Sequence, residues 1–498
     1  MGKLKQKVIK GTFWVMMERF STQAVTFIIG VILARLLTPT DYGTVALLSV
    51  FTSIAGVLAD SGLGSALIQK KEATELDFNS VFYLSLAVTT ILYAILFFIA
   101  PIVARFYKIP ELCPILRILS CVLFFNAVNS IQNAELNRKL LFHLSFRISL
   151  ISTITSAVVG LALAFLGYGV WTLVWSSIAA GVVGVISRWW IIAWRPHLMF
   201  SWHSIKPLFR YGWKLSLSAL IWTFSNNLYG LVIGKCYSRA DLSFVNRGNH
   251  LPELVMSNVN GALVSVAFPA LSKIQDDRVR MRETMRRMMV VSTFFVFPLM
   301  MVFAVTSKSI IFFLFGEKWL PAVPYAMIAC FTFALAPFSS INNYGIQAMG
   351  RSDVVLKITI INRTIGLIIL VAFLSQSVLA WCLAAAFLSS PITVIINSWP
   401  NRKLLDYTLK MQMLDVFPTM LVCAIVSLPI VAINFIPVSS QFVRFGVLIM
   451  QWVLAFLCFF GLAWLFRLRG LCEVCMILKS KVIAKMPRLE PIFHHLEG

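Results

Sequence analysis

The chain has 498 residues, of which 59% are hydrophobic and only 13% charged, with a mean hydropathy of +0.85. A soluble chain of this length needs far more polar surface, so the composition excludes a soluble globular protein and points to an integral membrane protein. The net charge of +23, from 43 Lys and Arg against 20 Asp and Glu, raises the question of nucleic-acid binding, which the placement of those charges answers below.

A helix crosses a bilayer with about 20 mainly apolar residues, and such runs recur along the chain. We read fourteen spans, at 11–35, 42–68, 78–104, 112–136, 143–166, 169–193, 208–234, 242–268, 285–306, 322–348, 354–375, 377–398, 413–435 and 441–466. The first is too long, and too polar at Glu18 and Arg19, for a cleaved signal peptide. With the N-terminus inside, most basic residues fall on one side, in clusters such as "KLKQKVIK", "RVRMRETMRR" and the tail beyond Arg467. That asymmetry obeys the positive-inside rule for an even number of spans with both termini cytoplasmic. The charges are topology signals that also meet anionic head groups, and no nucleic-acid partner is expected. Nine cysteines are scattered, mostly inside spans, so no disulfide framework is implied. Cys472 and Cys475 have metal-like spacing with no second pair, which favours an interfacial helix face over zinc; no metal and no cofactor are expected.

Spans one to six and seven to twelve read as two copies of one unit. "LARLLTPTDYG" at 33–43 has a faint copy, "IGKCYSRADLS", at 233–243. At that offset of 200, Gly30 meets Gly230, Arg35 meets Lys235, Thr38 meets Ser238 and Asp41 meets Asp241, and further on Asp60 falls opposite Asn260. After the third and ninth spans, Pro114 pairs with Pro324, and the turns "NAELNRK" and "QAMGRSD" bring Arg138 opposite Arg351. Six spans per copy make the copies parallel repeats, an arrangement of alternating-access transporters. The expected organisation is an all-α polytopic membrane protein. It has a basic N-terminus (1–10), an N-lobe (11–200), a C-lobe (201–400), two further spans (401–466) and a basic tail (467–498), with the two lobes around a central cavity. The eighth segment, "DLSFVNRGNHLPELVMSNVNGALVSVAFPALS", is too polar for hydropathy alone, and crosses by analogy with its partner.

Polar residues inside the spans form stripes. Asn246, His250, Glu253, Ser257 and Asn260 share one helical face with Arg247 beside it. Thr223, Asn226, Asn227 and Gly230 form a second stripe, Arg19, Gln23, Thr26 and Gly30 a third, and Ser49, Ser53, Gly56 and Asp60 a fourth. Arg19, Arg117, Arg147, Lys214, Arg247 and Arg363 lie within or just inside spans, against Glu18, Asp60 and Glu253, with Glu135 near a cytoplasmic end. An ionised side chain at mid-bilayer costs about 3 kcal/mol even on insertion scales, so these groups face a wet cavity or pair with one another. The cationic excess suits an anionic ligand, since guanidinium forks bind phosphate oxygens. Snorkelling remains open for Arg117, Arg147 and Lys214. For Asn342 and Asn343 the alternatives are cavity lining and interhelical hydrogen bonding. Lys308, Lys318 and Arg444 read as ordinary exterior charges.

"LARLLTPTDYG", followed by "DSGLGSALIQKKEATELDFNSVFYLS", resembles the N-terminal signature of bacterial Wzx-type polysaccharide flippases, of the multidrug/oligosaccharidyl-lipid/polysaccharide exporter superfamily. "NAELNRKLLFHLSFR" and "QAMGRSD" resemble that family's cytoplasmic turns. The resemblance runs from about Gly11 to Lys410 and is nearest to the colanic-acid and teichuronic-acid exporter branch. It implies a V-shaped bundle of two six-helix lobes. It also implies movement of an undecaprenyl-diphosphate-linked oligosaccharide across the bacterial inner membrane for surface polysaccharide biosynthesis, beside polysaccharide polymerase and glycosyltransferases. Related flippases place cations of the first, second and eighth helices on the diphosphate; Arg19 and Arg247 are the equivalents here, while the second helix offers Asp60 and no mid-span base. Asp60, Glu253 and Glu18 are candidates for coupling to protons or sodium. The alternatives are an ion-coupled multidrug exporter of the same superfamily, whose cavity should lean acidic, and a membrane enzyme acting on lipid-linked sugar. Against the enzyme stand the lack of a large periplasmic loop, of a DxD motif and of a His-x4-Asp pair.

Overall fold

The computed structural model describes residues 2–70, 73–373, 375–436 and 441–482, and among them all regular structure is helical. The first two spans are α1 (Gly2–Leu36) and α2 (Pro39–Asp60), the latter continued by the short α3 (Leu63–Gln69). Then come α4 (Glu75–Tyr107), α5 (Leu112–Leu119) with α6 (Val122–Arg138), α7 (Phe142–Phe165) and α8 (Val170–Ile191). The second series is α9 (Trp202–Cys236), α10 (Arg239–Ser272), α11 (Arg278–Phe315), α12 (Val323–Ala334) with α13 (Ala336–Ala348), α14 (Ser352–Phe373), and α15 (Val378–Ala384) with α16 (Ser390–Leu405). It is followed by α17 (Leu409–Ile433), α18 (Gln441–Leu465) and α19 (Arg469–Val482).

All fourteen expected spans are helical. Among the described residues, twelve are both long and apolar enough to cross a membrane. The other two, α9 and α10, have 35 and 34 residues, ample length, but carry the polar stripes that lower their hydropathy. Large apolar side chains stay exposed along the spans, among them Phe98, Val371 and Leu457 at 74%, 70% and 67%, as lipid-facing positions should be. Of the expected basic tail, the part to Val482 includes α19, and residues 483–498 lie outside the described residues.

The duplicated corner is a duplicated cap. Thr38 N donates to Asp41 Oδ2 at 2.9 Å and Asp41 N returns to Thr38 Oγ1 at 3.3 Å, with Pro39 in the first turn of α2. Two hundred residues on, Ser238 N donates to Asp241 Oδ2 at 3.1 Å and Asp241 N to Ser238 Oγ at 3.0 Å. Each reciprocal pair satisfies amide groups that a helix start leaves without partners. The helices that run into these corners, α1 and α9, have the same length of 35 residues.

The fourth span of each copy is also broken. Between α5 and α6 the Ser120 hydroxyl bonds back to the Leu116 carbonyl at 2.7 Å, which bends helices. Between α12 and α13 the break precedes Pro337, which has no amide hydrogen to give.

By internal contacts the chain divides into two compact units, Met1–Ser243 and Phe244–Gly498, whereas the repeat placed a boundary at 200/201. In the first unit α9 packs on the helices before it. Tyr107 Oη of α4 donates to the Leu231 carbonyl at 3.3 Å. Lys235 lies 3.9 Å over the Phe106 ring and bonds that residue's carbonyl. Gly212 meets Gly62 backbone to backbone. The second unit is built around α11, whose Met281, Met285, Phe294 and Met300 are buried with Phe338 of α13 and Phe459 of α18.

Candidate functional site: a polar cavity in the first unit

Two adjoining cavities open within the first unit, with volumes of about 490 and 390 Å³. Asp60, Ser65 and Asn126 line both. Local backbone geometry sets the position of Asp60. Ser61 and Gly62 take positive φ, 48° and 64°, so α2 stops at Asp60 and the chain turns into α3. A side chain at Gly62 would strike the Gly212 carbonyl, so only glycine allows both the turn and the approach of α9. The Asp60 carboxylate then stands at the end of its helix and accepts from Ser130 Oγ of α6 at 2.6 Å.

The facing wall is α6. Asn126, Asn129, Asn133 and Asn137 recur at intervals of three, four and four, which stacks their carboxamides on one face, and all four line the smaller cavity with Arg188 of α8. Arg188 straddles Asn133 Oδ1 with Nε at 3.3 Å and Nη2 at 3.2 Å, while Nη1 reaches the Gly184 carbonyl at 3.1 Å. Glu18 of α1 is within electrostatic reach of Arg188 and accepts from Ser149 Oγ of α7 at 2.5 Å. One carboxylate and one guanidinium therefore line the cavity, and the rest of its polar wall is amide and hydroxyl. Such a wall both donates and accepts hydrogen bonds and carries little net charge.

Of the expected residues, the structure brings Asp60, a candidate for ion coupling, to this cavity, and Glu18, another such candidate, is within electrostatic reach of its arginine. Gln23 is half-buried on α1, and Arg19 and Thr26 are exposed there. Asn227 Nδ2 is spent on the Thr223 carbonyl at 2.8 Å, and Asn226 is half-buried beside it. In the second unit Arg247 stacks on Phe315 and Trp319, 4.7 and 4.9 Å from the ring centres. Asn260 accepts from Tyr344 Oη at 3.0 Å, and His250 and Glu253 are exposed on α10. Arg147 and Arg363 are exposed on their helices, Asn343 is half-buried, and the Lys214 side chain lies outside the described residues.

Two residues with open alternatives make structural contacts. Arg117 Nε donates to the Phe97 carbonyl at 3.2 Å and its guanidinium lies 4.0 Å over the Phe97 ring, which holds α5 on α4. Asn342 is fully buried and cross-links three helices. It bonds Gln412 Oε1 at 2.9 Å and accepts from Asn401 Nδ2 at 2.6 Å. Residues that the stripes did not single out are the α6 asparagines and Arg188. The spacing of the asparagines was the available signal, although "NAELNRK" reads first as a turn.

Helices in a duplicated series, twelve of them among the described residues long and apolar enough to cross a membrane, define a class, the multi-span membrane proteins. The fold is shared with a known structure. The solved structure of the lipid II flippase MurJ in an inward closed conformation superposes with a TM-score of 0.68 at 16% identity, over 95% of this chain and 100% of that one. Residues 32–324 match the family described as polysaccharide biosynthesis protein, and the chain belongs to that family. Among its relatives, the teichuronic acid biosynthesis protein TuaB of Bacillus subtilis (strain 168) is 23% identical over 426 residues, 84% of this chain and 87% of the relative. The lipopolysaccharide biosynthesis protein WzxC of Escherichia coli (strain K12) is 24% identical over 369 residues, 72% of this chain and 73% of the relative. The resemblance carried by "LARLLTPTDYG" and its neighbours is thereby borne out.

Proposed function

We propose that the protein is a flippase that moves an undecaprenyl-diphosphate-linked oligosaccharide from the cytoplasmic to the periplasmic leaflet of a bacterial inner membrane, with both termini cytoplasmic. The observation that carries this reading, in a chain of this family, is the cavity of Asp60, the α6 asparagines and Arg188. Polar groups inside a bilayer are costly unless they pair with one another or face a ligand or a wet passage, and these line an open space. In the proposed orientation α2, α6 and α8 all end on the cytoplasmic side, so the cavity lies where a newly made lipid-linked sugar arrives. The isoprenoid tail stays in lipid, and the head group is passed across by alternating access. No bond is made or broken, so the protein acts as a transporter and not as an enzyme.

Asp60 and Glu18 are the acids placed to couple the cycle to protons or sodium. Glu253, exposed on α10, belongs to the second unit. Translocation in liposomes that is indifferent to both a pH and a sodium gradient removes that coupling. The function is tested in a strain deleted for the gene and complemented with Arg188→Ala. Loss of surface polysaccharide with normal membrane insertion is expected; full restoration by the variant refutes a role for the cavity.

A further inference from the structure

The two units treat one equivalent pair of asparagines differently. In the register that sets Arg138 opposite Arg351, Asn129 of α6 falls opposite Asn342 of α13, and Arg188 of α8 opposite Asn401 of α16. In the second unit both amide atoms of Asn342 are tied down, while Asn401 Oδ1 has no hydrogen-bond partner among the described residues. Gln412 of α17 gives Nε2 to Asn342 Oδ1 at 3.2 Å and takes Asn342 Nδ2 on Oε1 at 2.9 Å, and Ser398 donates to the same Oε1 at 3.0 Å. Asn342, Ser398, Asn401 and Gln412 are all at 1% exposure or less. The first unit differs at the equivalent position. There the Asn129 Oδ1 is buried with no hydrogen-bond partner among the described residues, and its residue lines the cavity of about 390 Å³. A buried amide oxygen without a partner is costly, and in the second unit the carboxamide of Gln412 meets that need.

We propose that the α6 ladder of Asn126, Asn129, Asn133 and Asn137, faced by Asp60 and Arg188, is a sugar subsite that hydrogen-bonds ring hydroxyls of the carried glycan. This rests on the flippase reading and assigns its glycan end. A ring hydroxyl donates and accepts at once, as the carboxamide of Gln412 does, and a ladder of amides one helical turn apart meets successive hydroxyls. The charge pattern separates this ligand from two others. The Asp60 carboxylate opposes a diphosphate, and the Arg188 guanidinium bound to Asn133 opposes a bare cation. A site built to bond hydroxyls also discriminates strongly against analogues that lack them.

The test uses the full-length protein in nanodiscs with two probes, undecaprenyl diphosphate alone and lipid-linked oligosaccharide extracted from cells deleted for the gene. The expected result is that wild type binds the oligosaccharide-linked lipid more tightly than the bare diphosphate lipid. Asn126→Leu combined with Asn129→Leu should weaken the former about tenfold, as the loss of one or two hydrogen bonds does, and leave the latter within about twofold. Its melting temperature should stay at the wild-type value, whereas Asn342→Leu, which strands Gln412 and Asn401, lowers it. Equal weakening of both probes, or unchanged binding of the oligosaccharide-linked lipid, overturns the subsite. Equal wild-type affinity for the two probes overturns it too and leaves the flippase reading standing, while a wild type that binds neither probe overturns both.

Discussion

Asp415 sits at the centre of an ion cluster in the second unit, and its parts should fail in a definite order. Arg286 of α11 holds it bidentately, Nε to Oδ2 at 2.8 Å and Nη2 to Oδ1 at 2.6 Å, and Arg469 of α19 adds Nη1 to Oδ1 at 2.9 Å. The carboxylate is 2% exposed, Arg286 32% and Arg469 68%. Removing Arg286 leaves a buried carboxylate with a solvent-facing arginine and a long bond of 3.5 Å from Tyr407 Oη, a loss of about 3 kcal/mol at the low end for a broken buried pair. Removing Asp415 frees two arginines that both reach water, so Asp415→Ala should cost about 2 kcal/mol, near the value of one charge-assisted hydrogen bond. Arg469→Ala removes an exposed leg worth about 0.5 kcal/mol. Arg286→Ala with Asp415→Ala should be no worse than Arg286→Ala alone, because the second change removes the stranded charge. Unfolding in detergent micelles followed by tryptophan fluorescence ranks the four variants. Equal losses for Arg469→Ala and Arg286→Ala, or a double variant as bad as the sum of the singles, would refute this reasoning.

Other positions yield shorter predictions. Gly62→Ala combines a left-handed backbone, about 1–2 kcal/mol for a side chain, with collision against the Gly212 carbonyl, and should sharply reduce folded yield on gel filtration. Gly366→Ala, in open space inside α14, should gain up to about 1 kcal/mol and raise the melting temperature. Thr38→Ala and Ser238→Ala should each cost about 1 kcal/mol, and the losses should add, since each cap serves its own helix. Arg117→Ala should lower stability by about 1–2 kcal/mol through the lost Phe97 stacking, with binding of lipid-linked oligosaccharide unchanged; normal stability with lost binding would return Arg117 to a cavity.

Much of the architecture was legible in the residues themselves. Most of the fourteen expected spans were legible as apolar runs because hydrophobic length is a strong constraint in a bilayer, and the eighth was legible only through its repeat partner. The paired corners at Thr38 and Ser238 were legible too, since a capping box is local chemistry written within four residues. The destination of polar groups was not. Asn129 and Asn342 hold equivalent places, yet one lines a cavity and the other is sealed by Gln412, which arrives from a helix 70 residues later. Arg247 read as a cavity cation in the stripe of α10, and its guanidinium lies on Phe315, the last residue of α11, and on Trp319 just past it. Periodicity assigns a residue to a face, and tertiary packing decides what that face meets.

The most direct test of the account measures translocation itself. Wild type and Arg188→Ala are reconstituted into liposomes carrying extracted lipid-linked oligosaccharide, and head-group exposure on each leaflet is followed with a membrane-impermeant glycosidase. The account predicts that wild type brings inner-leaflet oligosaccharide into reach of the enzyme and that Arg188→Ala, inserted to the same level, does so at least about tenfold more slowly, as expected when a charge-assisted contact is lost. Wild-type liposomes no faster than protein-free ones, or a variant as fast as wild type, would contradict it.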